Sequence, residues 1–170
     1  MKKNVSFHEI QSLKQWWIWL ILAFANFTLL YGCYKQLILD QHYGNNPIGN
    51  TELIIVTLVV LLITIGVAML KLETMIDKTG VYVRFLPFQK NYKFFDWKRV
   101  ESYKVRKYSP IIEFGGWGYR IAGRRKRAYN MYGKMGLYLV LFDGSKVLVG
   151  TQIPEGMDAY LTELSKYKVD

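Results

Sequence analysis

The stretch YLVLFDGSKVLVG, Tyr138–Gly150, decides how the second half of this chain folds. Apolar runs flank Asp143-Gly144, a pair suited to a tight turn because glycine accepts positive φ freely and aspartate tolerates it. The reading is a β-hairpin with a two-residue turn, both turn residues at positive φ. Beyond it, Pro154 suits a first helical position, and Glu155 and Asp158 favour the positive end of a helix. Met157, Tyr160, Leu161 and Leu164 then fall at i, i+3, i+4 and i+7, the single apolar stripe of a helix that closes a sheet.

Working upstream, the same period-two pattern recurs. Val81, Val83 and Phe85 alternate with Tyr82, Arg84 and Leu86 in a predicted strand opened by Gly80 and closed by Pro87. Tyr92–Trp97 reads as a second strand, followed by a short turn capped by Asp96. Tyr103 and Val105 alternate with Lys104 and Arg106 in a third. Strands followed by one helix describe an antiparallel sheet domain that buries one face and blunts its open end with the helix.

The region before this domain is different in kind. The run Leu53–Leu70 has 18 residues and no charge. At about 1.5 Å per residue it covers roughly 27 Å, close to the ~30 Å core of a bilayer. Trp16–Tyr34 is equally uncharged, with Trp16, Trp17 and Trp19 at one end and Tyr31 and Tyr34 at the other, as in an aromatic belt. Two transmembrane helices, about 16–36 and 53–70, therefore form a hairpin. Asn26, costly in lipid, is expected to face the second helix or bond a neighbouring carbonyl, and Gly32 and Gly66 are candidate helix-packing positions. Ala23-Phe24-Ala25 resembles a signal cleavage site and Leu30-Tyr31-Gly32-Cys33 a lipoprotein box. A cut at the first would split the apolar run and Tyr31 departs from the second, so an uncleaved anchor is the better reading.

Charge gives direction. The chain carries 23 Lys/Arg against 13 Asp/Glu, and from Lys71 onward the balance is 19 against 10. Lys2, Lys3 and Lys14 precede the first span, and Lys35 alone is cationic in the connector. Both termini are expected on the cytoplasmic side, with a turn-rich connector outside. The expected division is residues 1–71 for tail and spans, and 72–170 for a cytoplasmic domain.

Ile76-Asp77, Gly80 through Pro87, Gly115-Gly116-Trp117-Gly118, Ala128-Tyr129-Asn130 and Gly150-Thr151-Gln152 with Pro154 carry a resemblance. Together they resemble a group of small, mostly uncharacterised bacterial membrane proteins with two spans and a C-terminal PH-like domain. That resemblance implies an α+β membrane protein. Its hairpin would be followed by a PH-like antiparallel β-sandwich or partly open barrel, capped by a C-terminal helix, in the inner membrane of a bacterium. It implies no catalytic residue.

Two motifs bear on function. Gly115-Gly116-Trp117-Gly118 lacks the Lys and Ser/Thr of a phosphate loop and continues into a strand, so it reads as a structural corner with Trp117 folded over the sheet. Arg124-Arg125-Lys126-Arg127 reads as an exposed loop between strands. It is either solvated only or in contact with anionic headgroups or an acidic partner. Each cation near an anionic surface adds about 1 kcal/mol.

Cys33 is the only cysteine, and the domain from residue 71 on has neither Cys nor His. This excludes an internal disulfide framework and any cysteine-based zinc site. No metal or cofactor is expected. Asp77, Asp96, Glu101, Glu113 and Asp143 have no catalytic spacing, so a non-enzyme is expected. The aromatic residues are read as core, which makes nucleic acid an unfavoured partner. The functional expectation is a membrane-anchored binding module that engages anionic lipid or a protein partner. The alternative is an accessory subunit of a larger membrane complex held through the hairpin.

Overall fold

The computed structural model describes residues 6–166, and these divide into two compact units. One is helical and covers Lys14–Met69. The other joins the chain up to Leu13 with the chain from Leu70 onward.

The helical unit contains α1 (Trp16–Cys33), which continues through a π-helical turn to Ile38, and α2 (Asn50–Ala68). Both helices are long and apolar enough to cross a membrane, with mean hydropathy of 1.5 and 2.5. They run antiparallel, and their polar side chains bond across the pair. Asn26 Nδ2 donates to Leu22 O at 2.7 Å and to Thr64 Oγ1 at 2.8 Å, so it both faces the second helix and bonds its own backbone. Cys33 Sγ lies 3.3 Å from Thr57 Oγ1, and Gln36 Nε2 donates to Asn50 Oδ1 at 2.9 Å. The two glycines differ from each other. Gly32 makes room for the ring of Tyr43, in the connector, where a Cβ would lie 2.7 Å from Tyr43 Cδ1. A Cβ added at Gly66 would meet open space.

The second unit is α+β. Its first sheet holds, in spatial order, β1 (Phe7–Ser12), β2 (Lys71–Ile76), β3 (Gly80–Leu86) and β4 (Lys93–Asp96), all antiparallel. The second comprises β5 (Val100–Lys107), β6 (Gly118–Ile121), β7 (Lys126–Asn130), β8 (Met135–Leu141) and β9 (Lys146–Thr151), in spatial order β5-β8-β9-β7-β6. A one-turn helix, α3 (Pro110–Phe114), precedes β6, and α4 (Pro154–Lys166) closes the unit.

The core lies between the sheets. Leu72, Val81 and Val83 of one meet Leu137, Leu139 and Val149 of the other, and α4 adds Met157, Leu161 and Leu164. These side chains are all buried, and each stabilises the fold by about 1.5–3 kcal/mol. The predicted strands at Gly80–Leu86, Lys93–Asp96 and Val100–Lys107 form, and the carboxylate of Asp96 accepts from Lys98 N at 2.8 Å to cap the predicted turn.

Three expectations need correcting. β7 pairs with β9 in parallel, so the second sheet is mixed, because the chain passes from β7 to β8 across the position that β9 fills instead of forming a continuous meander. The β8–β9 turn has three residues, Phe142 to Gly144. Leu141 N bonds Ser145 O at 2.9 Å and Gly144 N bonds Leu141 O at 2.8 Å, so only Gly144, at φ +77°, needs the left-handed region. The boundary at residue 71 also moves, because Phe7–Ser12 lies in the first sheet and not in a tail. Glu9 and Gln11 hold it there. Glu9 Oε2 accepts from Thr151 Oγ1 and Oε1 from Gln152 N, both at 2.7 Å, and Gln11 Nε2 donates to Gly150 O at 2.7 Å.

Candidate anion-binding cleft

The two turns that follow β6 and β8 and the turn that follows β4 surround one cleft of about 230 Å³. Local structure brings them together. The Asp96 cap turns the chain after β4 through Trp97–Arg99, and Trp97 Nε1 anchors that turn by donating to Asp77 O at 2.8 Å. Arg99 O then accepts from Phe142 N at 3.1 Å, which fixes the turn against the β8–β9 turn. Lys146 N donates to Arg125 O at 2.7 Å and ties the β6–β7 turn to the start of β9.

Six cations line the cleft: Lys93, Arg99, Arg124, Arg125, Arg127 and Lys146. Its single acidic residue is Asp143. The backbone N–H of Ser145 donates to the Asp143 carboxylate at 2.8 Å and holds its pKa below the ordinary range, and the nearby Arg99 and Arg125 add to this. Phe95, Leu141 and Val147 contribute the apolar part of the lining.

The basic run seen in the sequence is thus split. Lys126 and Arg127 are the first residues of a strand and not of a loop, and alternation along β7 sends them to opposite faces. Arg127 joins Arg124 and Arg125 at the cleft. Lys126 lies over α3, its Nζ 4.6 Å from the centre of the Phe114 ring. Lys93, Arg99 and Lys146 have no neighbouring charge run to announce them. Only the turn signals beside Arg99 and Lys146 marked where they would meet.

The other arginines of this unit with buried surroundings are committed to structure. Arg84 bonds Glu73 and covers the Tyr92 ring; Arg106 bonds Glu113 and covers the Tyr138 ring. Burial raises the Glu73 carboxyl, but hydrogen bonds from Tyr92 and Arg84 outweigh it and leave its pKa below normal. The six cleft cations have no such ion pair among the described residues.

Gly115, Gly116 and Gly118 have φ of +72°, +126° and +105° and turn the chain sharply from α3 into β6. Trp117 Nε1 reaches Gly133 O at 3.2 Å, and the indole remains partly exposed. This corner contributes nothing to the cleft lining. Among the other candidate carboxylates, Glu113 is held by Arg106 and Ser109 N, while Asp77 accepts from Thr79 N and Gly80 N within its own turn. No protein-family model matches the chain, and no curated protein matches it.

Proposed function

We propose that this chain is a membrane-anchored, PH-like binding module. Two spans would hold its sheet unit at the cytoplasmic face of a bacterial inner membrane, and its basic cleft would engage anionic headgroups of the inner leaflet. The observation that carries this reading is the gathering of six cations around one cleft with a single carboxylate, Asp143, and no ion pair among the described residues. Like charges repel, so such a cluster opposes folding unless an anion compensates it. The span assignment is supported by the exposure of Leu20, Phe24, Leu58 and Leu62, apolar side chains on helices with no polar face. The common side for both ends is supported by the β1–β2 ladder, since strands paired by hydrogen bonds cannot sit across a bilayer from each other.

Trypsin digestion of the full-length protein in lipid nanodiscs tests the reading. Arg124 and Arg125 are exposed cleavage sites. Cleavage there is expected to slow when phosphatidylglycerol replaces phosphatidylcholine, and to recover at high salt, where charge attraction is screened. Equal rates in both lipids at low salt would count against it.

The accessory-subunit reading has one point in its favour. The open space at Gly66 offers a notch where a helix of another protein could approach closely. A stable hetero-complex that survives mild detergent would favour it.

A further inference from the structure

We infer that the cleft is a discrete, saturable site for a phosphomonoester or diphosphate group. This goes further than a diffuse attraction to anionic surfaces, and it rests on the reading of this face as anion-binding.

Three observations lead there. First, the cations converge from separate segments onto one partly open cleft. Lys93 comes from β4, Arg99 from the turn after it, Arg124, Arg125 and Arg127 from the β6–β7 turn and β7, and Lys146 from β9. A surface that only needed positive charge could scatter it. Here hydrogen bonds from Phe142 N to Arg99 O and from Lys146 N to Arg125 O set the segments in fixed relation.

Second, the residue types suit phosphate. Four of the six are arginine, whose planar fork presents paired N–H donors that match phosphate oxygens, while the two lysines add compact charge. Arg84 and Arg106, which serve structure in this unit, look different, each bonded to a glutamate and laid on a tyrosine ring. Those lining the cleft make no side-chain hydrogen bond or ion pair among the described residues.

Third, size and charge set the ligand class. At about 230 Å³ the cleft is smaller than the roughly 300–1,000 Å³ of sites for drug-sized molecules. It has room for a headgroup or for one or two phosphates. A phosphodiester carries a single charge and two free oxygens, too little for six cations offset only by Asp143. A phosphomonoester or a diphosphate offers at least three acceptor oxygens and close to two charges or more. The group could be carried by a lipid or be free in solution, and the chemistry of capture is the same.

The test uses the full-length protein in phosphatidylcholine nanodiscs, titrated with inorganic pyrophosphate by calorimetry at constant ionic strength. The expected result is saturation at one pyrophosphate per chain. Arg125→Gln and Arg99→Gln should each weaken it about tenfold or more, as expected for loss of charge-assisted hydrogen bonds. Lys126→Gln removes the same charge from the same run, but outside the cleft, and should change affinity less than about twofold. A second arm places phosphatidate or phosphatidylglycerol in the disc at matched surface charge. Displacement of pyrophosphate by phosphatidate alone supports a lipid-borne phosphomonoester; displacement by neither supports a soluble ligand. Binding that never saturates, or that falls equally with Lys126→Gln and Arg125→Gln, overturns the site. If trypsin protection by phosphatidylglycerol persists in that case, the broader membrane-binding reading survives. If it is absent as well, both are wrong.

Discussion

Ser12 and Lys71 are register partners in adjacent antiparallel strands, although both long apolar helices lie between them in the sequence. The sheet unit is therefore discontinuous in sequence, since one edge strand is made before α1 and its partner after α2. Replacing residues 13–70 by a short glycine-containing turn should leave a soluble, folded sheet unit, because a tight turn can join directly paired strands. A fragment of residues 72–170, by contrast, lacks β1 and exposes the edge of β2. It should aggregate or show poorly dispersed amide resonances. Two-dimensional NMR of the two fragments decides the matter, and equal dispersion would mean that β1 is dispensable.

Within β1, Glu9 is the residue that secures the strand. It is buried, and its two oxygens take Thr151 Oγ1 and the Gln152 N–H at the start of the turn into α4. Glu9→Ala would leave both donors without that partner in a buried setting, at a cost of about 2–3 kcal/mol. Urea unfolding of the turn-linked unit should show the midpoint falling without a change in slope. An unchanged midpoint would show that water substitutes fully for the carboxylate.

The same strand shows where sequence patterns stop being informative. Val81, Val83 and Phe85 advertise their strand because the apolar residues are the buried ones. In Phe7–Ser12 the pattern is inverted. Glu9 and Gln11 face inward while Ile10 is 56% exposed, so a hydrophobicity reading finds no strand. α3 was equally silent. One turn of helix is too short to establish a period, and both Ile111 and Ile112 are exposed. The two long apolar helices, the β8–β9 hairpin and α4 were legible because each rests on a local rule: an uncharged run, a turn dipeptide, a stripe. The length of the β8–β9 turn was not, since Asp143-Gly144 fits a two-residue and a three-residue loop alike. The cleft escaped for a related reason. Arg124, Arg125 and Arg127 stood out as a run, but Lys93, Arg99 and Lys146 reach them only through strand pairing.

Topology can be checked at single residues. In a Cys33→Ala background, Asn45→Cys in the connector should react with a membrane-impermeant maleimide added to intact cells. Lys126→Cys should react only after permeabilisation. The ladder between β1 and β2 requires the segments on either side of the hairpin to share a side, so labelling of both sites from outside would refute the assigned orientation.

Acid should loosen the β5–α3 corner, and the sign follows from Glu113. Hydrogen bonds from Arg106 hold the Glu113 carboxyl below its ordinary range, with a further contribution from Ser109 N, against the opposing effect of burial. A carboxyl depressed in the folded state contributes stability that is fully present above its unfolded value, about 4.3. That contribution is lost as pH falls through the lower folded value. Glu73 is depressed as well and acts in the same direction. Thermal unfolding of the detergent-solubilised full chain should therefore be flat from neutral pH down to about 5 and decline below it. Glu113→Gln should unfold earlier at neutral pH, by about 1 kcal/mol for a partly buried ion pair with a capping bond. Its decline in acid should be shallower, because one titrating group has been removed. Parallel acid profiles for the variant and the parent protein would show that the Arg106–Glu113 pair does not contribute to acid lability.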